Sequence, residues 1–169
     1  MKQPIARHGR WLRRAFEATL FIGIIFAIHL YQTRNTLRGE APLFSARLLD
    51  GSPVSMQGFR GRPLLLQFWA TWCPVCSLEQ GSIDAIARDH AVLSVAIDDA
   101  SADEIREWMS GKGVSYAVIP DPSGQISARF GVQGVPTSMI IDASGIIRFV
   151  EAGYTTETGL RLRLWWVGI

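Results

Sequence analysis

The two cysteines of the chain lie three residues apart in the motif Trp72-Cys73-Pro74-Val75-Cys76. A buried strand is predicted just before the motif, and a helix is predicted to begin at it. Free backbone N–H groups and the positive end of a helix dipole favour thiolate over thiol, and the thiolate is the attacking species in disulfide exchange. We therefore expect Cys73 to attack and Cys76, one turn later on the same side, to resolve the mixed disulfide. Pro74 suits the first helical turn, where a missing N–H costs nothing.

Three other uses of a close cysteine pair stay open. A structural disulfide of this spacing would close only a tiny loop, which offers little stabilisation through loop entropy. Half of a zinc site would need further ligands, but there is no second cysteine pair, and His8, His29 and His90 fall elsewhere. A Cu(I) site would suit two soft thiolates, although no histidine follows residue 90 to serve as a third ligand. Dithiol redox chemistry without a metal or organic cofactor is the favoured prediction.

Strands and helices alternate around this motif, which predicts an α/β domain with helices over a mixed sheet. A small hairpin is predicted at 44–56, with Asp50-Gly51 in its turn. Beyond it the predicted order is β-α-β-α-β-α-β-β-α. The predicted strands are 64–70, 92–97, 116–119, 137–141 and 146–150, and the helices begin after Cys73, at Ser101, at Gln125 and at Thr156. Asp98-Asp99 is predicted to be a strand-end loop.

The charge is divided unevenly along the 169 residues. Apolar residues make up 48% of the chain and charged residues only 19%, which excludes a disordered chain. Seven basic and two acidic residues precede residue 41, so the remainder has ten basic and thirteen acidic residues, a net charge of −3. A nucleic-acid-binding domain would carry its basic residues on the folded part, so this class of function is excluded.

Residues 15–31 form an apolar run that is interrupted only by Glu17, Thr19 and His29. As a helix it would approach the thickness of a bilayer, and the five basic residues before it predict a cytoplasmic N-terminus. We therefore expect a basic leader at 1–14, a transmembrane anchor at 15–31, a tether at 32–43 and a periplasmic domain at 44–169. A cleaved signal peptide and a buried core helix are the alternatives.

The motifs together resemble those of the thioredoxin superfamily. The resemblance rests on the stretch 68–76, which reads FWATWCPVC, and on Gly134-Val135-Pro136-Thr137 about sixty residues later. The hairpin, the leader and Glu79 are similar to the TlpA/ResA/DsbE branch of bacterial membrane-tethered proteins. The ending at 153–166 resembles the suppressor-of-copper-sensitivity D subgroup. The implied architecture is a thioredoxin-like fold with an added N-terminal hairpin, preceded by one transmembrane helix.

The resemblance also implies roles for single residues. Pro136 would be a cis-proline facing the Cys73–Cys76 disulfide, leaving backbone groups of Val135 free to pair with a bound polypeptide. Trp72, Pro74 and Thr137 would border the substrate, with Trp72 shielding the thiols and Trp69 lying in the core or beside the site. Glu79 would hold or relay the proton of the resolving thiol, and a solvated surface glutamate is the alternative.

Two positions depart from the family pattern, and a pair of tryptophans falls outside it. Gln67 stands where many thioredoxins have an acid, and it cannot titrate. Gly81 replaces a proline found in many relatives, so the helix kink associated with that proline is in doubt. Trp165 and Trp166 are predicted to pack against the domain, with a membrane interface as the alternative.

The resemblance implies a membrane-anchored, monomeric protein thiol-disulfide oxidoreductase. The expected reaction is reduction of envelope proteins, for instance under copper stress, with electrons from a membrane reductant of the DsbD or ScsB kind. Reduction of apocytochrome c thiols is the alternative enzymatic role. A Cu(I)-binding dithiol chaperone is the alternative that is not an enzyme.

Overall fold

The computed structural model describes residues 8–33 and 38–169, and the chain divides into two units, Met1–Arg34 and Asn35–Ile169. Helix α1 (His8–Thr33) occupies the first unit and contains the run at 15–31. Half of the predicted basic leader, residues 1–7, lies outside the described residues. No helix in the described ranges combines the length and the apolar character needed to cross a bilayer, so the predicted anchor is not supported.

The second unit is built on a six-stranded mixed sheet. The unit contains eight strands, and six of them form this sheet. The eight are β1 (Gly39–Glu40), β2 (Ser45–Arg47), β3 (Pro53–Ser55), β4 (Leu64–Trp69), β5 (Ala91–Ala96), β6 (Val118–Pro120), β7 (Thr137–Ile141) and β8 (Ile146–Ala152). Their order in the main sheet is β1-β8-β7-β4-β5-β6. Strands β4, β5 and β6 are parallel, whereas β7, β8 and β1 continue the sheet in antiparallel fashion. Strands β2 and β3 form the predicted separate hairpin.

Four helices of the second unit begin at or next to the predicted starting residues. They are α2 (Pro74–Ala87), α3 (Ala102–Lys112), α4 (Gln125–Arg129) and α5 (Glu157–Val167), and a 3₁₀ helix spans Met56–Phe59. Ser101 and Glu104 form a reciprocal capping box at the start of α3, and Gly113 ends that helix in a left-handed conformation with φ of 66°. Thr156 caps α5 by accepting a hydrogen bond from the backbone N–H of Gly159.

Two apolar clusters enclose the sheet, one on each face. On the first face, α2, α3 and α5 pack over alternate residues of β4, including Leu65 and Trp69. On the second face, the hairpin, the 3₁₀ helix and the α4 region pack over Leu64, Leu66 and Phe68. Every residue of β4 is buried, as expected for a central strand covered on both sides. This arrangement confirms the predicted thioredoxin-like α/β fold.

Two predictions outside the active-site motif need correction. Strand β1 lies within the predicted tether at 32–43 and pairs with β8, so the domain begins before residue 44. Trp165 and Trp166 are not packed into the core of the domain, because they are 58% and 66% exposed. Their helix instead buries Leu160 and Leu164, so the two tryptophans lie on its outward face.

Candidate active site

The cysteine pair lies where the buried strand β4 passes into α2. Cys73 is the N-cap residue of α2, and Pro74 occupies the first helical turn. The two cysteines are joined by a disulfide, with their Cα atoms 5.3 Å apart. The backbone N–H of Cys76 points at Cys73 Sγ with an N···S distance of 3.1 Å. The sulfur atom of Cys73 therefore lies at the positive end of the helix, where a thiolate is stabilised.

Solvent reaches the two cysteines unequally. Cys73 is 4% exposed and Cys76 is fully buried. Cys73 Sγ also lies 3.8 Å from the carbonyl oxygen of Val135. An incoming sulfur atom therefore meets Cys73 first, and Cys76 can act only from inside the domain.

A buried aspartate holds the turn that leads into Cys73. Asp98, just after β5, accepts hydrogen bonds from the backbone N–H of Thr71 at 2.7 Å and from Thr71 Oγ1 at 2.5 Å. It also accepts one from the backbone N–H of Ala100 at 3.0 Å. Burial alone would raise the pKa of Asp98, but these hydrogen bonds outweigh burial and lower it below the ordinary value. Asp98 is thus an ionised clamp on the turn at 70–72, a role that the sequence analysis missed.

The loop before β7 faces the cysteines. The Val135–Pro136 peptide bond is cis, and Pro136 is buried beside half-exposed Val135. Two hydrogen bonds hold this loop in place: Gly153 N–H donates to Pro136 O at 2.8 Å, and Thr137 Oγ1 donates to Gly134 O at 2.7 Å. Within the described residues, the N–H and carbonyl of Val135 take no part in the ladder of β7 or in the turn hydrogen bonds.

Glu79 lies one turn after Cys76 on α2 and is fully buried, which excludes the alternative of a solvated surface glutamate. Its carboxylate accepts hydrogen bonds from the backbone N–H of Thr155 and, at 3.3 Å, from Gln67 Nε2. Burial raises the pKa of Glu79 to about 7, and the two N–H donors limit that rise. A carboxyl with this pKa can both accept and release a proton near neutral pH.

Apolar side chains border the cysteines at the surface. Trp72, predicted to shield the thiols, is 68% exposed, and Val75 and Leu78 on the outer side of α2 are also exposed. Exposed Tyr154 lies between two residues that are hydrogen-bonded to the site. Gly153 N–H donates to Pro136 O, and Thr155 N–H donates to the Glu79 carboxylate. We call Trp72, Val75, Leu78 and Tyr154 the apolar rim.

Most predicted site residues come together at this edge of the sheet. Cys73, Cys76 and Glu79 share α2, the loop of Val135 meets them from β7, and Trp72 and Pro74 border the site. Trp69 belongs to the core, where its indole N–H donates to Ser94 Oγ. Helix α2 continues through Gly81 without interruption. Among the described residues, no three side chains of histidine, cysteine, aspartate or glutamate form a group that could hold a metal ion.

Sequence reasoning missed two contributors to the site, namely Asp98 and Thr155. Asp98 carried a usable signal, because a short acidic side chain after a buried strand often accepts hydrogen bonds from a neighbouring turn. Thr155 acts through its backbone N–H, so it has no signature in the residue pattern.

Comparison with known proteins relates this arrangement to one group. The AhpC/TSA family matches over residues 37–150. A thiol:disulfide interchange protein DsbE of Pasteurella multocida is 30% identical over 155 residues, covering 82% of this chain and 84% of that protein. A thiol-disulfide oxidoreductase ResA of Bacillus thuringiensis is 29% identical, covering 70% of this chain and 71% of its own length. The crystal structure of a secreted Mycobacterium tuberculosis disulfide oxidoreductase homologous to E. coli DsbE has a TM-score of 0.63 and 27% identity, covering 73% and 95% of the two chains.

Proposed function

Since the chain belongs to the AhpC/TSA family and is a thiol-disulfide oxidoreductase of the DsbE/ResA type, we propose that it reduces disulfides in polypeptides outside the cytoplasm. The observation that carries this proposal is the cysteine pair at the N-terminus of α2, with Cys73 facing the free backbone of Val135. The resemblance to membrane-tethered thioredoxin-like proteins supports reduction as the direction of the reaction.

The proposed reaction has two exchange steps. In the reduced protein, the Cys73 thiolate attacks one sulfur atom of a substrate disulfide, the substrate S–S bond breaks, and one substrate sulfur leaves as a thiolate. Cys76 then loses its proton and attacks Cys73 Sγ, which restores the Cys73–Cys76 disulfide and releases the second substrate thiolate. The substrate gains two electrons and, from its surroundings, two protons, and the enzyme loses two electrons.

Glu79 is proposed to take the proton that Cys76 gives up. The two residues are one helical turn apart, and both are fully buried, so bulk water is a poor proton acceptor for Cys76. The pKa of Glu79, which burial raises to about 7, suits a group that accepts a proton here and returns it when the disulfide is reduced again.

The proposed substrate is a polypeptide with apolar residues near its cysteine. The apolar rim offers exposed aromatic and aliphatic side chains on the segments that carry Cys73 and contact Glu79. Val135 offers an N–H and a carbonyl for pairing with an extended strand. Apolar contacts and backbone pairing together suit an unfolded or loosely folded chain better than a small charged thiol.

The chain is further proposed to be exported and to receive its electrons from a membrane dithiol reductant of the DsbD or ScsB kind. The basic leader ahead of an apolar run supports export, and so does the similarity to a secreted mycobacterial protein. Labelling of intact cells with a membrane-impermeant thiol reagent tests the location of Cys73. Fractionation of the same cells distinguishes a membrane-retained chain from a released one.

A trapping experiment tests the order of attack. In a Cys76→Ser variant the resolving step is missing, so mixed disulfides between Cys73 and its substrates accumulate and are resolved by mass spectrometry after non-reducing electrophoresis. A Cys73→Ser variant is the matched control, because it keeps one cysteine but loses the attacking thiol. Equal trapping by both variants would refute the assignment of Cys73.

The direction of the reaction is tested by the redox state of the pair in cells, measured by thiol alkylation. We expect a largely reduced pair when the membrane reductant is present and an oxidised pair when it is deleted. A pair that is fully oxidised in both strains would overturn the proposed reductase. Trapped apocytochrome c would select the cytochrome role, and trapped proteins that accumulate on copper exposure would select the copper-stress role.

A further inference from the structure

A row of polar side chains crosses the otherwise apolar face of the sheet beneath α2. Gln67 in the central strand β4 is paired in register with Ser138 of β7 on one side and with Ser94 of β5 on the other. All three residues are at most 1% exposed. Residues paired in this way point to the same face, so the three side chains lie side by side under the helix that carries Glu79.

Two side-chain hydrogen bonds involve residues of this row, and two buried polar atoms of the row are left without a partner. Ser94 Oγ accepts from the indole N–H of Trp69 at 2.9 Å, and Gln67 Nε2 donates to Glu79 Oε2 at 3.3 Å. Gln67 Oε1 and Ser138 Oγ are both buried and have no partner among the described residues. Directly opposed residues have Cβ atoms about 4.5–5.5 Å apart, so a change of the Ser138 χ1 rotamer brings its hydroxyl within reach of Gln67 Oε1, and each of these atoms then satisfies the other.

We propose that Gln67 and Ser138 are positioning residues for Glu79: Ser138 donates its hydroxyl proton to Gln67 Oε1, and this fixes the amide with Nε2 directed at the ionised carboxylate. The amide is then held at both ends, and its donor favours the carboxylate over the carboxylic acid. The inference rests on the proposed role of Glu79 as proton acceptor for Cys76. It assigns a function to the glutamine that stands in place of a titratable acid.

Charged groups on the neighbouring elements do not take over this role. Glu151 of β8 is the cross-strand neighbour of Ser138, but it is paired with Arg163 of α5 at 2.7 Å. On α2 itself, Cys76 lies one helical turn before Glu79 and is the reacting group that the proposed role concerns. Apart from burial, only the N–H groups of Thr155 and Gln67 act on the Glu79 carboxyl, so a change in the amide is visible in its titration.

The test follows the titration midpoint of the Glu79 carboxyl by NMR in the full chain labelled with ¹³C-glutamate. A Glu79→Gln variant identifies its signal among the seven glutamates. Gln67→Leu removes the donor and is expected to raise the midpoint by about one pH unit. Ser138→Ala leaves the amide unfixed and is expected to raise it by about half a unit, and Ser138→Thr is expected to restore the wild-type midpoint.

Ser94→Ala is the matched control, because it removes an equally buried hydroxyl from the other neighbour of Gln67 and is expected to leave the midpoint unchanged. A Ser138→Ala midpoint equal to that of the wild type would overturn the inference, as would an equal shift in Ser94→Ala. If Gln67→Leu does not fold, the three serine variants decide the outcome. The proposed role of Glu79 as proton acceptor can fail separately from this inference. In that case Glu79→Gln would leave the pH profile of thiol exchange unchanged, while Gln67→Leu and Ser138→Ala would still shift the titration midpoint of Glu79.

Discussion

Replacing Glu79 with glutamine changes how the stability of the protein depends on pH. The wild-type carboxyl has a pKa that burial raises from 4.5 to about 7, so the folded protein keeps this proton over a range where the unfolded chain has released it. Glutamine is neutral at every pH and still presents an oxygen atom to the N–H of Thr155. The Glu79→Gln variant therefore removes the titration and preserves most of the shape of the site.

The sign and size of the effect follow from proton linkage. Between pH 4.5 and 7 the native state binds more protons at Glu79 than the unfolded state, so the free energy of unfolding falls as the pH rises. A shift from 4.5 to about 7 corresponds to about 3 kcal/mol, which is fully lost above pH 7. The variant lacks this loss, so its free energy of unfolding relative to the wild type should rise by about 3 kcal/mol between pH 4.5 and pH 8.

Denaturant unfolding of the oxidised full chain at intervals from pH 4.5 to 8 measures this difference. Buried or hydrogen-bonded aspartates such as Asp98 and Asp142 have lowered pKa values, so their stabilisation is lost only at lower pH, as they become protonated. They also cancel in the comparison of variant with wild type. Parallel curves for the two proteins over the whole range would refute the argument that burial keeps the Glu79 carboxyl protonated.

The remaining predictions concern the turn, the helix and the rim. Asp98→Ala leaves the N–H groups of the turn without an acceptor and should cost about 2 kcal/mol in unfolding free energy, whereas exposed Asp99→Ala should change it by less than about 0.5 kcal/mol. An equal effect of both would contradict the clamp. Gly81→Ala should stabilise the protein by about 0.5–1 kcal/mol in thermal or denaturant unfolding, because Gly81 is helical and a Cβ atom there has open space; a loss of stability would contradict this. Leu78→Ser should raise KM about threefold or more for a polypeptide disulfide but leave KM for a small disulfide unchanged. Leu162 is an exposed leucine on α5, and Leu162→Ser should change neither KM value. Equal effects of the two substitutions would count against the rim as a substrate surface.

The sequence was sufficient to predict the order of elements from residue 44 onward and the reacting pair, for physical reasons that lie in local patterns. The continuous apolar stretch of β4, the proline after Cys73 and the capping box at Ser101 each report a local preference that the tertiary structure preserves. The spacing of the two cysteines places them on one helical turn whatever surrounds them. These features need no knowledge of strand register.

The burial of particular side chains was less predictable, because it depends on which element covers which face. Trp165 and Trp166 look like core residues by composition, yet α5 turns Leu160 and Leu164 inward and leaves both tryptophans exposed. Strand β1 has only two residues and gains its place through pairing with β8. A pair of residues such as Gly39 and Glu40 has no periodicity from which a strand can be predicted.

The neutral residue at position 67 and the acid at position 79 belong to one arrangement. Gln67 Nε2 and Glu79 Oε2 are 3.3 Å apart in a dry part of the domain. A second carboxyl at position 67 would face the first, and two such groups cannot both ionise at this distance, so their titrations would be coupled and separated. With an amide at position 67, Glu79 is the single acid of this arrangement: burial raises its pKa, and the N–H donors limit that rise. One proton is therefore exchanged near neutral pH. The loss of the acid from β4 thus keeps the proton chemistry of the site on α2, one turn from the cysteine that has to lose its proton.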